Sequence, residues 1–141
     1  MSIATIAVNQ LESRLPKVID ARTHGMIDYC HAAFFLGMAV VCRKSEPRAA
    51  LAALFTGSFV LVQSLLTDYP LGFKRVIPFK VHGQMDAAFA ASSFMLPRVF
   101  GFSGSPSASV FKGNGFVEAA VVGATDFSSE RARSEEADYS L

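Results

Sequence analysis

Four apolar segments run along this chain, separated by charged or Gly/Pro-rich turns. The first extends from about Gly25 to Cys42, with Thr23 as its expected N-cap and Arg43-Lys44-Ser45-Glu46-Pro47-Arg48 as its stop. The second, Ala49 to Thr67, carries no charge over nineteen positions, close to the ~20 residues that a membrane helix needs. Asp68-Tyr69-Pro70-Leu71-Gly72 ends it with strong turn chemistry. After the basic connector Phe73 to Val81, the third segment runs from His82 to about Phe102, and Pro97 beside Arg98 predicts a kink or fraying at its far end. The loop Ser103-Gly104-Ser105-Pro106-Ser107 leads into a fourth, Ser109 to Asp126, diluted by Lys112, Asn114 and Glu118. A soluble bundle would need a polar face at 3.6-residue spacing on each helix. The second segment has none. The pattern therefore predicts an all-α, four-helix transmembrane bundle.

The segments repeat in pairs. His24-Gly25-Met26-Ile27-Asp28 returns 58 residues later as His82-Gly83-Gln84-Met85-Asp86. At the same offset Thr67-Asp68-Tyr69 becomes Thr125-Asp126-Phe127, Lys17-Val18-Ile19 becomes Arg75-Val76-Ile77, and Gly57 becomes Gly115. A gapless register of this kind predicts two tandem helical hairpins, residues 17–69 and 75–127, inside one membrane domain spanning 17–127. Two-helix units return the chain to its starting side, so the hairpins are expected to be parallel, related by an axis along the membrane normal. Small residues recur every fourth position, at Ala49, Ala53 and Gly57 and again at Gly115, Ala119 and Gly123, and such stripes let a neighbouring helix come close. Residues 1–16 read as a polar N-terminal segment without the features of a secretory signal peptide, and 128–141 as a disordered polar tail.

Charge refines this picture. Only 18% of residues are charged, below the roughly 25% usual in soluble domains, and most crowd into the turns. A net charge of +1 gives no pull toward nucleic acid. Counting Lys and Arg on alternate sides places Arg14, Lys17, Arg22, Lys74, Arg75, Lys80, Arg131 and Arg133 against Arg43, Lys44, Arg48, Arg98 and Lys112. That bias predicts an inner-membrane protein with both termini in the cytoplasm. Cys30 and Cys42 would lie ~18 Å apart on one helix, too far to pair, and read as small buried hydrophobes. The lipid bilayer is the expected partner, with a homodimer or another membrane protein allowed by the small-residue stripes.

The topology brings His24, Asp28, Asp68, His82, Asp86 and Asp126 near one membrane face. Within each copy the His and Asp are four apart and share a helix face. His24, Asp28, His82 and Asp86 are the candidate ligands of a divalent metal, with donors that suit zinc, manganese or iron. The alternatives are a structural lock between hairpins and proton handling. Deeper in the span, Glu118 and His31 are ionisable, and intramembrane ionisable residues face the bundle interior with a partner. Glu118 is expected to meet His31 or Gln63. The chain has no Gly-rich phosphate loop, nucleophile elbow or paired CxxC.

The His24-Gly25…Asp28-Tyr29 opening resembles the SPW-repeat family of small bacterial integral membrane proteins. So does the connector carrying Thr67-Asp68-Tyr69, Leu71-Gly72, Arg75, Ile77-Pro78, Val81-His82 and Asp86. The resemblance covers residues 17–127. The family's third helix typically ends in Ser-Pro-Trp, an apolar stretch and Gly-Phe. Here Met95-Leu96-Pro97-Arg98-Val99-Phe100-Gly101-Phe102 keeps the Pro and the Gly-Phe but replaces Ser and Trp, and the first repeat has Met38-Ala39-Val40 in that place. The chain is thus similar to the family as a divergent member. The resemblance implies paired membrane helices and no activity. The expected function is a non-enzymatic structural or partner-binding bundle. The alternative is a small transporter or ion-handling protein that uses the His/Asp cluster and Glu118.

Overall fold

The computed structural model describes residues 15–128; the expectations for residues 1–14 and 129–141 lie outside them. The fold is all-α, with five helices among the described residues: α1 (Ala21–Cys42), α2 (Pro47–Leu66), α3 (Phe79–Ser93), α4 (Leu96–Val99) and α5 (Ser107–Ala124). The helix ends explain where the sequence pattern was displaced. Asp20, not Thr23, caps α1: its carboxylate accepts the Thr23 amide at 2.7 Å, which sets Thr23 inside the first turn. Pro47 opens α2, because a first-turn proline has no amide to leave unpaired. The third apolar segment is broken. Ser92 and Ser93 both bond back to the Phe89 carbonyl, a habit that bends helices, and α3 ends there, before the Pro97 turn α4.

Two helices among the described residues, α1 and α2, are long and apolar enough to cross a membrane. At 15 residues α3 spans only ~22 Å, and α5 is diluted by Lys112, Asn114 and Glu118. Cys42 is partly exposed and Cys30 exposed rather than buried, with Cys30 on the wall of a cavity.

α1 packs on α2, and α3 on α5. Gly57 and Gly115, one from each small-residue stripe, sit at these contacts, whereas Gly123 faces Leu15. A Cβ on Gly57 would lie 2.9 Å from the Leu36 amide nitrogen and 3.0 Å from the Ala32 carbonyl oxygen. The Gly115 contact repeats it 58 residues on, with the Ala90 carbonyl at 2.8 Å and the Phe94 ring in place of Leu36. Gly57→Ala is expected to destabilise the fold by about 1–3 kcal/mol through overpacking. Gly37→Ala, where nothing lies within 4 Å, should stabilise it by up to about 1 kcal/mol through helix propensity. Thermal unfolding in detergent compares the two.

Phe35, Phe89, Phe102 and Phe111 centre the core, with Phe59 stacked on Phe89 at 4.8 Å. At the opposite end from the α1–α2 turn, two short pairings tie the packed helix pairs together. Strand β1 (Thr67–Asp68) runs parallel to β2 (Ile77–Pro78), matching Thr67 to Ile77. A parallel bridge joins Ile19 to Thr125. These are the same pairing, 58 residues apart. The second closes the ring: Lys17 donates to the Gly123 carbonyl at 2.8 Å, and the Asp126 amide to that of Ile19 at 3.0 Å.

Candidate metal centre

The two short pairings fix the site. Each holds a threonine beside a histidine in the first turn of the following helix or, across the ring closure, of α1. His24 Nδ1 lies 2.9 Å from Thr125 Oγ1, and His82 Nδ1 lies 2.7 Å from Thr67 Oγ1. Each threonine hydroxyl also reaches the carbonyl four residues back, at 2.6 Å to Val121 and 2.7 Å to Gln63. Two short contacts need two protons. The hydroxyl has one and the carbonyl none, so the other belongs to the imidazole. This count assigns an Nδ1–H to both rings.

In the neutral form of each ring Nε2 then carries the lone pair, and the two Nε2 atoms face each other at 3.1 Å. Asp86 Oδ2 lies 3.1 Å from His24 Nε2 and 2.9 Å from His82 Nε2. Asp28 presents Oδ1 to His24 at 3.4 Å and Oδ2 to His82 at 3.2 Å. Ligand atoms 2.0–2.1 Å from a tetrahedral ion stand about 3.3 Å apart. The spacings from each histidine run from 2.9 to 3.4 Å, near that edge, with Asp28 offering a different oxygen to each ring, and one ligand atom from each residue falls within 4.8 Å of all the others. The four residues form a buried His2Asp2 cluster consistent with a divalent-metal site.

Neighbours orient the carboxylates. Gln63 Nε2 donates to Asp86 Oδ1 at 2.6 Å, and the Ser64 and Tyr69 hydroxyls each donate to Asp28 Oδ2 at 3.3 Å. Burial raises the Tyr69 phenol above its ordinary pKa, and the charge of Asp28 adds to this, so it stays a donor. Tyr69→Phe is expected to weaken ion affinity by up to about tenfold, read from an equilibrium titration of the variant.

Aromatic rings pack against the two histidines. Phe79 and Phe127 stand edge-on to His24 at 5.4 and 5.3 Å, and Tyr69 lies 5.7 Å from His82. The glycine after each histidine makes room for them: a Cβ on Gly25 would meet the Tyr69 ring at 2.8 Å, and one on Gly83 the Phe127 ring at 2.7 Å.

The other expected residues fall outside the cluster. Asp68 is exposed, and half-buried Asp126 accepts the Ser128 amide at 3.0 Å. Glu118 meets His31, Oε1 to Nδ1 at 3.9 Å, and not Gln63, which lies against Asp86 and His82. A cavity of about 240 Å³ between α1 and α5 reaches from His24, Asp28 and Asp86 to His31, Asn114 and Glu118. The threonines were the residues that sequence reasoning missed. Their signal is the threonine repeated at the head of each Thr-Asp-(Tyr/Phe).

No protein-family model matches the chain, and neither a curated protein nor a solved structure is similar to it.

Proposed function

We propose that this chain is an integral membrane protein that binds and handles a divalent cation at His24, Asp28, His82 and Asp86. One observation carries the reading: two threonines hold both imidazoles by Nδ1, so that both Nε2 atoms and two carboxylates converge on a common point. Two lone pairs and two carboxylates so close repel unless positive charge lies between them. Two protons would supply it and make the cluster a helix lock, the competing reading. A divalent ion supplies it too, and the convergence of four donor residues of the types that bind such ions favours the ion. The donor set suits zinc, manganese or iron.

In this reading the chain is a four-helix membrane bundle of two tandem parallel hairpins, with the centre at one membrane face and both termini cytoplasmic. The length and apolarity of α1 and α2 support membrane insertion. So do the large apolar side chains left outside, among them Phe34, Val41, Leu51, Phe55, Phe116 and Val117. The resemblance to SPW-repeat proteins points the same way.

Elemental analysis of the detergent-purified protein tests the centre. About one zinc, manganese or iron per chain is expected, lost in the double variant His24→Ala with His82→Ala. Absence of metal from the wild type, even after incubation with each ion, would leave the proton-bridged lock. The membrane reading requires the chain to stay in the membrane fraction through an alkaline carbonate wash, and release into the supernatant would refute it.

A further inference from the structure

The 58-residue correspondence makes the two sides of the cluster directly comparable, and they differ. On the α2–α3 side, the counterparts of His31, Asn114 and Glu118 are Phe89, Thr56 and Val60. All three are buried, and Phe59 stacks on Phe89 at 4.8 Å with the rings 20° from parallel. That side is packed with apolar side chains. On the α1–α5 side the same positions carry an imidazole, an amide and a carboxylate, and they line the cavity of about 240 Å³ that continues to the centre.

Nothing in the centre's geometry calls for this second polar group. Glu118 is only 8% exposed. Asn114 Nδ2 donates to Glu118 Oε2 at 3.2 Å. The other oxygen, Oε1, stands 3.9 Å from His31 Nδ1, beyond hydrogen-bonding range. His31 Nε2 is buried without a hydrogen-bond partner. A carboxylate and an imidazole thus share a cavity wall with much of their binding capacity unspent. A buried group of either kind costs free energy unless something pairs with it. His31 follows His24 by seven helical positions, which puts this group ~10 Å along α1 from the centre.

We propose that Glu118 and His31, with Asn114 holding the carboxylate, form a second and weaker divalent-cation site on the route between the outside and the His/Asp centre. The inference rests on the proposed ion centre and adds its direction of access: the ion enters between α1 and α5, and the packed α2–α3 side is closed. With two protein ligands against four, the outer site holds its ion loosely enough to pass it on. The cavity, with Asp28 and Asp86 at its inner end, draws cations inward, and a binding step at Glu118 and His31 speeds loading, an effect that ranges from 10- to 1,000-fold for focused charge.

The test uses the full chain in detergent, stripped with a chelator, and Co2+ as the probe. Titration and stopped-flow absorbance follow binding. The wild type is expected to show a tight and a weak class of site. Glu118→Gln should remove the weak class and slow loading of the tight one by at least about tenfold, with the tight affinity unchanged. His31→Phe installs the residue found at the counterpart position, which the fold already accommodates there, and should act in the same direction. A wild type with one class of site, loading at the same rate in both variants, overturns the second site and leaves the centre standing. A wild type that binds no Co2+ overturns both.

Discussion

Converting both cluster carboxylates to amides, Asp28→Asn with Asp86→Asn, is expected to abolish the stabilisation that a divalent ion gives this protein. An ion at 1,000 times its dissociation constant stabilises the folded state by about 4 kcal/mol. The wild type should show that gain as a higher melting temperature in detergent, and the variant should show none. The behaviour without ion separates the two readings of the cluster. If it is a proton-bridged lock, the aspartates are partners of buried imidazolium groups, and removing them costs about 3–5 kcal/mol, with or without metal. If it is an ion centre, the stripped wild type holds two carboxylates and two lone pairs against one another. Asparagine relieves the repulsion, and its amide can donate to an Nε2. The stripped variant should then be at least as stable as the stripped wild type. A stripped variant that melts well below the stripped wild type, with no ion-dependent gain in either, would refute the ion centre.

The parts of this architecture that a one-dimensional pattern carries were legible in the chain. The histidine and aspartate of each copy are one helical turn apart, so they share a face whatever the tertiary structure. The fixed offset makes the two faces equivalent. The small-residue stripes likewise foretold the approach of α2 to Ala32 and of α5 to Ala90. What escaped depended on local backbone state. Thr67 and Asp68 are adjacent in a short extended pair, where successive side chains point to opposite sides. Thr67 is fully buried and Asp68 exposed. At the end of a helix the sequence offers no reason to choose between the two. Gln63, the other partner expected for Glu118, lies elsewhere. The counterpart of Glu118 is Val60, so Gln63 lies three residues nearer the cluster and reaches Asp86. The length of α3 turned on Ser92 and Ser93 bonding to one carbonyl, a local competition that hydropathy does not register.

Removing the two threonine hydroxyls tests whether the imidazoles are held in their metal-binding form. Thr67→Val with Thr125→Val keeps the side-chain shape and leaves all four ligands in place. It removes the acceptors 2.7 and 2.9 Å from the two Nδ1 atoms. Each ring then has a buried Nδ1–H without its partner, at a cost of about 1–3 kcal/mol. It recovers part of that by moving the proton to Nε2, where it blocks the ligand position. Outer partners of this kind are worth 10- to 100-fold in metal affinity each, so the double variant should bind Co2+ about 100- to 10,000-fold more weakly. The single variants should differ. His82 also has the Gln63 amide 3.2 Å from its Nδ1, and Gln63 can turn its oxygen toward the ring. At His24 the position equivalent to Gln63 is Val121, which can offer no replacement. Thr125→Val is therefore expected to cost more than Thr67→Val. Serine at either position keeps the hydroxyl and should restore most of the affinity. Unchanged Co2+ affinity in the double valine variant would mean that the threonines do not set the tautomers and would remove the strongest argument for an ion at this centre.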